Sequence, residues 1–407
     1  MNKMMNKMKQ GFGKLASLKE AKEAIFGLVE EKDIEAINID DSLNRALAEN
    51  IIARIDVPDF KKSAMDGFAV RAEDTFNASN TSPKKLKIID SVTAGVVSKK
   101  EIKNNECIAV TTGAPLPMGA DSVLMVEFTE QKNNELTTYK SVAPGENTIN
   151  IGSDIKKGLV IAKKGFVINP RIIGAIASQG IKEIKAKKKP LIAYFSTGNE
   201  IIAANEKLEK GKVYDINSKT IISALKENNC NALDLGIIRD DKKLIKETIK
   251  RGLEADFVLL SGGSSLGSED FMVEAVNELG SVLIHGIAVK PGKPVLVGKV
   301  KDKLVLGLPG YPTSALSNFY ILVVPIIHKM LGIKPEIKTV EAKLSRKIVS
   351  TVGRYEFLAV KLENNEAVPV MKGSSSITTL AEADGFIEID ENTEVLEKGS
   401  IVTVRLF

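Results

Sequence analysis

Strand-like and helical segments alternate regularly from Pro190 to Leu331, and this alternation constrains the fold more than any other feature of the chain. Helical patterns near residues 218–227, 242–253, 270–279 and 314–331 are interleaved with short apolar runs. Such alternation predicts a parallel, doubly wound sheet with helices on both faces, which binds ligands at the carboxyl ends of its strands. The strand-like runs are LIAYF (191–195), LDLGII (233–238), FVLL (257–260), VLV (295–297) and LVLGLP (304–309).

The most informative strand end is the segment FVLLSGGSSLGSED, residues 257–270. An apolar strand leads into Gly262 and Gly263, a small polar loop begins at Ser264, and a helix begins near Asp270. Backbone N–H groups at a helix N-terminus carry a partial positive charge, so the segment suits an anion such as phosphate. Acids at the same end indicate a bridging Mg²⁺. The segment is neither a Walker loop, which needs GKS or GKT, nor a GxGxxG dinucleotide loop.

Polar residues follow each of these strands, and in a doubly wound sheet all of them face one crevice. Taken singly, an acid after a strand is a helix cap or a solvated loop residue, and a lysine is a surface charge. Together they offer acids for a metal, cations for phosphate and glycine backbone for close contacts. They predict a site for a Mg²⁺-bound phosphorylated ligand. The segments are STGNE (196–200), RDD (239–241), the Gly262–Gly263 loop, KPGKP (290–294) and GYPTS (310–314).

The chain of 407 residues is too long for one core, and its pattern changes along its length. We predict a discontinuous helical and linker domain (1–55 with 145–186), a mostly β domain (56–144), the α/β domain (187–331) and a C-terminal β-barrel or sandwich (332–407). A capping box at Ser17 predicts a helix to about Glu30, and a short helix is predicted over residues 42–53. The fold class is therefore multidomain α/β plus β.

Composition excludes several classes of function. The net charge of +5 is spread along the chain and Trp is absent, so neither a nucleic-acid partner nor a base-stacking platform is expected. Cys107 and Cys230 form no CxxC pair, which argues against a disulfide framework or a structural zinc site and fits a reducing cytoplasm. The apolar stretch 314–331 contains Pro325 and His328, which favours a buried core helix over a membrane span.

By local rules Asp66, within SAMDGF (63–68), is a turn residue, and TTGAPLP (111–117) is a strand end followed by a loop fixed by proline. No Ser-His-Asp or Cys-His arrangement is visible, so hydrolysis by a side-chain nucleophile is not expected.

Nine motifs occur in order from about Ser17 to the C-terminus: SAMDGFAV, TTGAPLPMGADSVLMVE, GSDIKKG, STGNEI, YDINS, GIIRDD, LSGGSSLGSEDF, KPGKP and LPGYPTSAL. In this order they resemble the molybdopterin molybdenumtransferase, or MoeA, family, which is similar to the E domain of gephyrin. Each motif alone is weak, but nine in sequence are specific.

The resemblance implies an elongated homodimer with four domains per subunit and an α/β domain like that of molybdopterin adenylyltransferases. It implies a Mg²⁺-dependent enzyme that inserts molybdenum from molybdate into adenylylated molybdopterin, releasing AMP and molybdenum cofactor. It also implies a site shared between subunits, to which Asp66 and Thr112 come from the partner, so that Asp66 is more than a turn residue. Transient contacts with the adenylyltransferase and with maturation proteins of molybdoenzymes are expected, and contacts with nucleic acid or membrane are not.

Matched position by position, the motifs imply three groups of functional residues. The catalytic residues would be Asp66, Thr112, Glu200 and Lys290. The metal ligands would be Asp154, Glu200, Asp270 and one or both of Asp240 and Asp241. The substrate-binding residues would be Gly262, Gly263, Ser264, Lys293, Pro309, Gly310, Ser314, Arg354 and Ser374. The last two, Arg354 and Ser374, match a region that varies within the family.

The implied mechanism assigns the molybdate dianion to Lys290, to backbone N–H groups and to the hydroxyls of Ser374 and Thr112. The acids would hold Mg²⁺ together with the pyrophosphate, and Asp66 would orient the oxyanion or move protons. Two departures from the family pattern are visible: Gly286 replaces a lysine that some members carry, and Tyr311 replaces the common Asn of LPGNP.

Three other functions are compatible with these residues: a molybdopterin adenylyltransferase that consumes ATP, a tungsten-preferring relative, and a non-catalytic molybdopterin-binding scaffold. The additional domains and the SAMDG motif favour the molybdenum step over adenylyl transfer, and the retained acids favour catalysis over a scaffold.

Overall fold

The structure is a computed structural model that describes residues 15–262, 268–334, 337–370, 372–373 and 375–407, with the backbone alone for 268–270. The chain forms two compact units. The first consists of Met1–Glu49, Lys164–Ile168 and Ile184–Phe407, and the second of Asn50–Lys163 and Asn169–Glu183.

Short strands dominate the described chain. In order they are β1 (Ile34–Asn38), β2 (Ile51–Ile52), β3 (Lys62–Ser63), β4 (Gly67–Val70), β5 (Lys84–Val92), β6 (Glu106–Val110), β7 (Ser122–Met125), β8 (Thr129–Lys132), β9 (Glu135–Thr138), β10 (Thr148–Ile149), β11 (Val160–Ala162), β12 (Glu183–Lys187), β13 (Leu191–Thr197), β14 (Ile201–Ile202), β15 (Val213–Tyr214), β16 (Asn231–Ile238), β17 (Phe257–Ser261), β18 (Ser281–His285), β19 (Val289–Lys290), β20 (Leu296–Val300), β21 (Lys303–Leu308), β22 (Thr339–Leu344), β23 (Ile348–Val349), β24 (Tyr355–Glu363), β25 (Glu366–Pro369), β26 (Gly385–Ile389), β27 (Val395–Leu396) and β28 (Ile401–Leu406).

The helices lie mostly between the strands of the α/β region. They are Leu18–Phe26, Pro170–Ala177, Asn217–Glu227, Lys242–Gly252, Ser268–Leu279, Pro312–Asn318, Val324–Leu331 and Thr378–Ala381.

A six-stranded sheet in the order β16-β13-β17-β21-β20-β18 organises the first unit. Strands β16, β13, β17 and β21 are parallel, as the alternation of strands and helices predicts. Residues alternate between the faces of β13, so that Tyr194 packs against the Asn217–Glu227 side and Phe195 against the Lys242–Gly252 side. Both aromatic side chains are fully buried, and each contributes about 1.5–3 kcal/mol through the hydrophobic effect.

The remaining two strands differ from the prediction. The run 295–297 was expected to add a parallel strand, but β20 pairs antiparallel with both β21 and β18. Because only two residues separate β20 from β21, the connection is a hairpin, and a parallel pair would need a long crossover. The end of β18 and the start of β20 therefore lie at the same edge of the sheet as the ends of the parallel strands.

The C-terminal strands close into a barrel, as predicted for this region. Strands β24, β25, β22, β28 and β26 pair in a ring that the β24–β26 ladder closes. Strand β19, which comes from the α/β region, pairs in parallel with β24 through Val289 with Tyr355 and Lys290 with Glu356. This pairing brings the KPGKP segment against the barrel.

The apolar segment that includes residues 314–331 is a core helix, which confirms the prediction. From Pro312 to Leu331 the helix is long and apolar enough to cross a membrane by length and composition, but 67% of its apolar window is buried within the protein. It contains a π-helical stretch, Phe319–Val323, directly before the turn that includes Pro325. Proline lacks the N–H that a regular helix would use there, which accounts for the local change in hydrogen bonding.

The N-terminal segment matches its sequence signals only in part. Ser17 and Glu20 form the predicted capping box, but the helix ends at Phe26 rather than near Glu30. The helix predicted over residues 42–53 is wrong. Ala46 and Leu47 instead pair as isolated bridges with Val167 and Ala186, so tertiary pairing overrides local helix propensity.

The second unit contains a mixed sheet in the order β7-β4-β6-β5-β9-β8. Strand β4 lies between β6 and β7 and pairs antiparallel with both. An ideal Cβ on Gly67, the first residue of β4, would lie 1.9 Å from the Leu124 carbonyl oxygen of β7. The glycine of SAMDG is thus required by the close approach of two strands.

Candidate active site

Two cavities lie where the parallel strands of the first unit end. The first, here called the acid cavity, has a volume of about 370 Å³ and is lined by residues that include Glu200, Asp215 and Asn217. The second, here called the lysine cavity, has a volume of about 570 Å³ and is lined by residues that include Lys290 and Lys372. Gly310 and Tyr311, which follow β21, line both. The strand-end residues of the sequence prediction are therefore divided between two adjoining cavities.

Asp240 and Asp241 have different surroundings. The side chain of Asp241 accepts a hydrogen bond of 2.9 Å from the Leu244 backbone N–H and so caps the Lys242–Gly252 helix. Asp240 is partly buried, and its Oδ1 has no hydrogen-bond partner. Burial raises the pKa of Asp240, and the charge of nearby Glu200 raises it further. The Thr197 hydroxyl opposes this rise because it lies near the carboxylate, although the two groups do not meet hydrogen-bond geometry. Of the two neighbours, Asp240 is the one that faces Glu200.

Unpaired buried polar atoms concentrate at this edge of the sheet. Among the described residues, six buried side-chain nitrogen or oxygen atoms have no hydrogen-bond partner, and five of them line or adjoin the two cavities. Leaving such an atom unpaired costs about 1–3 kcal/mol, so their clustering points to bound polar groups. The five belong to Thr197, Asn217, Asp240, Asn318 and Thr379, whereas the sixth belongs to Arg45.

Gly262 closes the end of β17 against β13. Its φ of +147° and the position of Thr197, whose carbonyl oxygen would lie 2.4 Å from an added Cβ, leave no room for a side chain. Gly262 lines the acid cavity, so the backbone forms this part of the wall. Glu200, from the loop after β13, is exposed and lines the same cavity.

A buried chain of hydrogen bonds fixes Asp215 in the acid cavity. The Ser196 hydroxyl donates to Asp215 Oδ1 at 3.0 Å, and the Tyr194 hydroxyl lies 3.1 Å from Ser196 Oγ and 2.6 Å from Ser261 Oγ. Burial raises the pKa of Tyr194, which keeps this hydroxyl neutral. Asp215 also accepts from the Ser218 backbone N–H at 3.0 Å. The carboxylate is therefore held in one orientation by a strand hydroxyl and by a backbone N–H of the Asn217–Glu227 helix.

Sequence reasoning assigned no role to Asp215, Asn217 or Glu356. The first two belong to the YDINS motif, so their position in that motif was a usable signal. Asn217 Nδ2 donates to the Gly310 carbonyl at 2.8 Å and thereby joins the wall of the acid cavity to the loop after β21. Glu356 carries no comparable signal, because its contact with Lys290 depends on the pairing of β19 with β24.

Lys290 is tied to the barrel. Its Nζ lies 3.0 Å from Glu356 Oε1, while Ser350 donates to Glu356 Oε2 at 2.9 Å. Lys293 lies in the same segment, where its carbonyl accepts from the Ile287 backbone N–H at 3.0 Å. Of the other residues predicted to bind substrate, Pro309, Gly310 and Ser314 line the lysine cavity.

Asn318 holds the KPGKP segment in place. Its Nδ2 donates to the carbonyls of Ser314 at 2.8 Å and of Pro291 and Gly292 at 3.3 Å each. Gly292 has a φ of +96°, and an added Cβ would lie 2.0 Å from Asn318 Nδ2. The wall of the lysine cavity thus depends on a glycine and on one buried amide.

In the second unit the structure brings Asp66 and Thr112 together. Asp66 precedes β4 and Thr112 follows β6, at the same end of an antiparallel pair. Asp66 Oδ1 accepts from the Thr112 backbone N–H at 2.6 Å and from its hydroxyl at 3.0 Å, and both bonds lower the pKa of Asp66. The carboxylate is exposed, ionised and fixed. Asp154, also in this unit, is exposed, and its backbone N–H donates to the Val57 carbonyl.

Some predicted site residues fall outside the structural description. Gly263, Ser264 and Ser374 lie outside the described residues, as does the side chain of Asp270. Arg354 is described: it is half-buried and directly precedes β24.

The acids present fit one part of a Mg²⁺ site. Within the described part of the chain, no group of three or more His, Cys, Asp and Glu side chains is arranged to hold a metal. Mg²⁺, however, takes one or two carboxylates together with substrate phosphates and water, rather than an all-protein cage. Glu200 and the unpaired buried oxygen of Asp240 suit that role.

Three family models match successive parts of the chain. The model described as "MoeA N-terminal region (domain I and II)" matches residues 16–180, "Probable molybdopterin binding domain" matches 193–329, and "MoeA C-terminal region (domain IV)" matches 341–407.

Full-length relatives are similar to this chain. A putative molybdopterin biosynthesis protein of Methanocaldococcus jannaschii is 39% identical over 96% of this chain and 98% of its own. A molybdopterin molybdenumtransferase of Bacillus subtilis is 33% identical over 95% of this chain and 93% of its own. The solved structure of a molybdopterin biosynthesis MoeA protein from Pyrococcus horikoshii superposes with a TM-score of 0.84 at 32% identity, covering 97% of this chain and all of that one.

Proposed function

Because this chain belongs to the MoeA family of molybdopterin molybdenumtransferases, we propose that it inserts molybdenum from molybdate into adenylylated molybdopterin and releases AMP. The observation that carries the proposal is the cluster of unpaired buried polar atoms around two adjoining cavities, one lined by acids and the other by lysines. A nucleotide-bearing substrate and an oxyanion would need such a pair of neighbouring sites.

The adenylylated pterin would occupy the acid cavity. Asp215 and the unpaired Oδ1 of Asn217 would accept hydrogen bonds from its polar groups, and the bare backbone at Gly262 would allow the pyrophosphate to approach closely. Glu200 and Asp240 would hold Mg²⁺, with Asp270 as a further ligand. The ion would neutralise the charge that develops on the phosphate oxygens as the anhydride breaks.

Molybdate would enter the lysine cavity. Lys290 and nearby backbone N–H groups would donate to its oxygens, and the lysine would compensate part of the negative charge. Lys293, Arg354 and Ser374 remain candidates for further contacts with the oxyanion.

The active site would be shared between two subunits. In this proposal Asp66 and Thr112 of one subunit complete the crevice of the other, where Asp66 orients the oxyanion or transfers protons to oxo groups that leave as water. The support is local: Asp66 is exposed yet held by two hydrogen bonds from Thr112, an arrangement suited to contact with a partner or substrate. Asp154 would act from the same unit. A cytoplasmic location is also proposed, since both cysteines are free thiols.

The test is AMP release from adenylylated molybdopterin with molybdate and Mg²⁺, followed by reconstitution of a molybdoenzyme. The wild-type protein should release AMP only when molybdate is present, and Asp66→Ala and Glu200→Ala should each reduce release by on the order of 10²-fold. Full activity in both variants would remove the assignment of the site. Pyrophosphate formation from ATP would instead identify an adenylyltransferase.

Mixing the two inactive variants tests the shared site. If Asp66 and Glu200 act from different subunits, each mixed dimer contains one intact site of two. Random exchange of equal amounts makes about half of the dimers mixed, so activity should return toward about a quarter of the wild-type value. Mixtures that exchange subunits and stay inactive would show that the two residues act within one chain.

A further inference from the structure

Glu356 stands out among the residues of the lysine cavity because it is a buried acid. Only 9% of its side chain is exposed, whereas its partner Lys290 is 42% exposed. An ionised carboxylate in such a position is costly unless its oxygens are paired. Oε1 is paired with Lys290 and Oε2 with the Ser350 hydroxyl, so both oxygens are satisfied.

The backbone around Glu356 leaves its carboxylate little freedom. Strand β24 pairs with β19 on one side, where Glu356 lies opposite Lys290, and with β26 on the other, where it lies opposite Ile389. A negative charge is therefore built into the barrel wall beneath the lysine that faces the cavity.

The second lysine of this cavity has a different kind of partner. Lys372 is paired with Glu382, but half of the Glu382 side chain is exposed to solvent. Water and salt screen such a surface pair, whereas a charge that is nine-tenths buried acts over several ångströms with much less screening. The two lysines of this cavity can therefore be compared: the counter-ion of Lys290 is buried, and the counter-ion of Lys372 is exposed.

We propose that Glu356 is a counter-ion that limits how tightly the lysine cavity holds its oxyanion, an inference that rests on the proposed function for the identity of that oxyanion. An anion oxygen bonded to Lys290 at about 2.8 Å would lie within about 6 Å of Glu356 Oε1. Repulsion over that distance offsets part of the attraction from the lysine. Lys290 keeps two further N–H donors for the ligand, so recognition is retained while affinity is moderated.

Moderate affinity suits a protein that must release the oxyanion to a second substrate. Binding that stabilises the ground state as much as the transition state does not raise turnover at saturation. A lysine without a counter-ion would hold a dianion more tightly and pass it on more slowly.

The experiment measures equilibrium binding of molybdate alone to the full-length protein by calorimetry. Glu356→Gln keeps the volume: its amide oxygen can still accept from Lys290, and its amide nitrogen can donate to the Ser350 hydroxyl oxygen, so the substitution removes chiefly the charge. We expect its Kd to fall about tenfold or more, and the Kd of Glu382→Gln to stay within about twofold of wild type. AMP release by Glu356→Gln should not rise in proportion to the tighter binding.

Unchanged or weaker binding by Glu356→Gln would overturn the inference, as would an equal gain in Glu382→Gln. Absence of molybdate binding in both the wild type and Glu356→Gln would also overturn the inference. AMP release by the same preparations tests the proposed function separately. Should Glu356→Gln fail to fold, Lys290→Ala and Lys372→Ala give a second comparison. Lys290→Ala leaves Glu356 unneutralised and should weaken binding more, and an equal or smaller loss would refute the role of Glu356.

Discussion

Asp240 and Asp241 are adjacent acids whose surroundings differ, because Asp240 lies near Glu200 and Asp241 caps a helix. Asp240→Asn removes a carboxylate beside Glu200, and we predict that it lowers molybdate-dependent AMP release on the order of 10²-fold. Asp241→Asn is the matched control: asparagine caps helices as well as aspartate does, so activity and stability should stay near wild type. Steady-state AMP release measures both, and the opposite order of effects would contradict the assignment.

Position 67 requires glycine because the neighbouring strand leaves no space for a side chain. In Gly67→Ala the new methyl group would overlap the Leu124 carbonyl, so β4 and β7 must separate. We predict a loss of about 1–3 kcal/mol in the unfolding free energy of the second unit. Gly174→Ala, in an exposed helical position of the same unit with open space around it, should instead gain about 0.5–1 kcal/mol. Denaturant titration of both variants checks the pair, and two equal effects would argue against the packing explanation.

For single residues, local sequence rules were less informative than the order of the motifs. Local rules made Asp66 a turn residue, and its motif in the resemblance pointed to the site. The structure adds that these two adjacent residues have different parts: Asp66 accepts hydrogen bonds from Thr112, and Gly67 permits the close pairing of β4 with β7. The distinction between Asp240 and Asp241 was left open, because it depends on where the helix begins.

Among the elements, the KPGKP segment has two carbonyls, those of Pro291 and Gly292, that accept from one amide of the Pro312–Asn318 helix. Asn318→Ala would leave the Pro291 and Gly292 carbonyls without their donor, so we predict a loss of about 1–3 kcal/mol in stability and a higher KM for molybdate. Ser317→Ala is the control, since among the described residues this hydroxyl bonds within its own helix, to the Thr313 carbonyl. Thermal unfolding and AMP-release kinetics measure both, and an Asn318→Ala protein with wild-type KM would show that the segment needs no such support.

Helices and parallel strands of the α/β region followed from the sequence because their signals are local. Periodicity, the proline at the start of the Pro312–Asn318 helix and the capping box at Ser17 all lie within the segments they shape. The predictions that were wrong concern segments that pair with distant parts of the chain. The expected helix over residues 42–53 is replaced by pairing with Val167 and Ala186, and β19 finds its partner in the barrel. Such distant pairings leave no periodic trace in a single sequence.

For the whole molecule, the two cysteines provide separate probes for the unfolding of the two units. Cys107 lies in the second unit and Cys230 in the first, and burial raises the pKa of each thiol to about 12. At pH 8 almost no thiolate is present, so we predict that neither thiol reacts with a disulfide reagent in the native protein. Cys107→Ser and Cys230→Ser then assign the denaturant concentration at which each unit opens. Rapid labelling of the native protein would contradict the described burial.

Acids, lysines and unpaired polar atoms at the strand ends form, in our proposal, one site for two substrates. Anomalous diffraction from crystals soaked with molybdate and an AMP-bearing pterin tests this most directly. We predict a molybdenum peak in the lysine cavity near Lys290, with the pterin nucleotide in the acid cavity between Glu200 and Asn217. A well-occupied molybdenum peak remote from both cavities, with the acid cavity empty, would contradict the account.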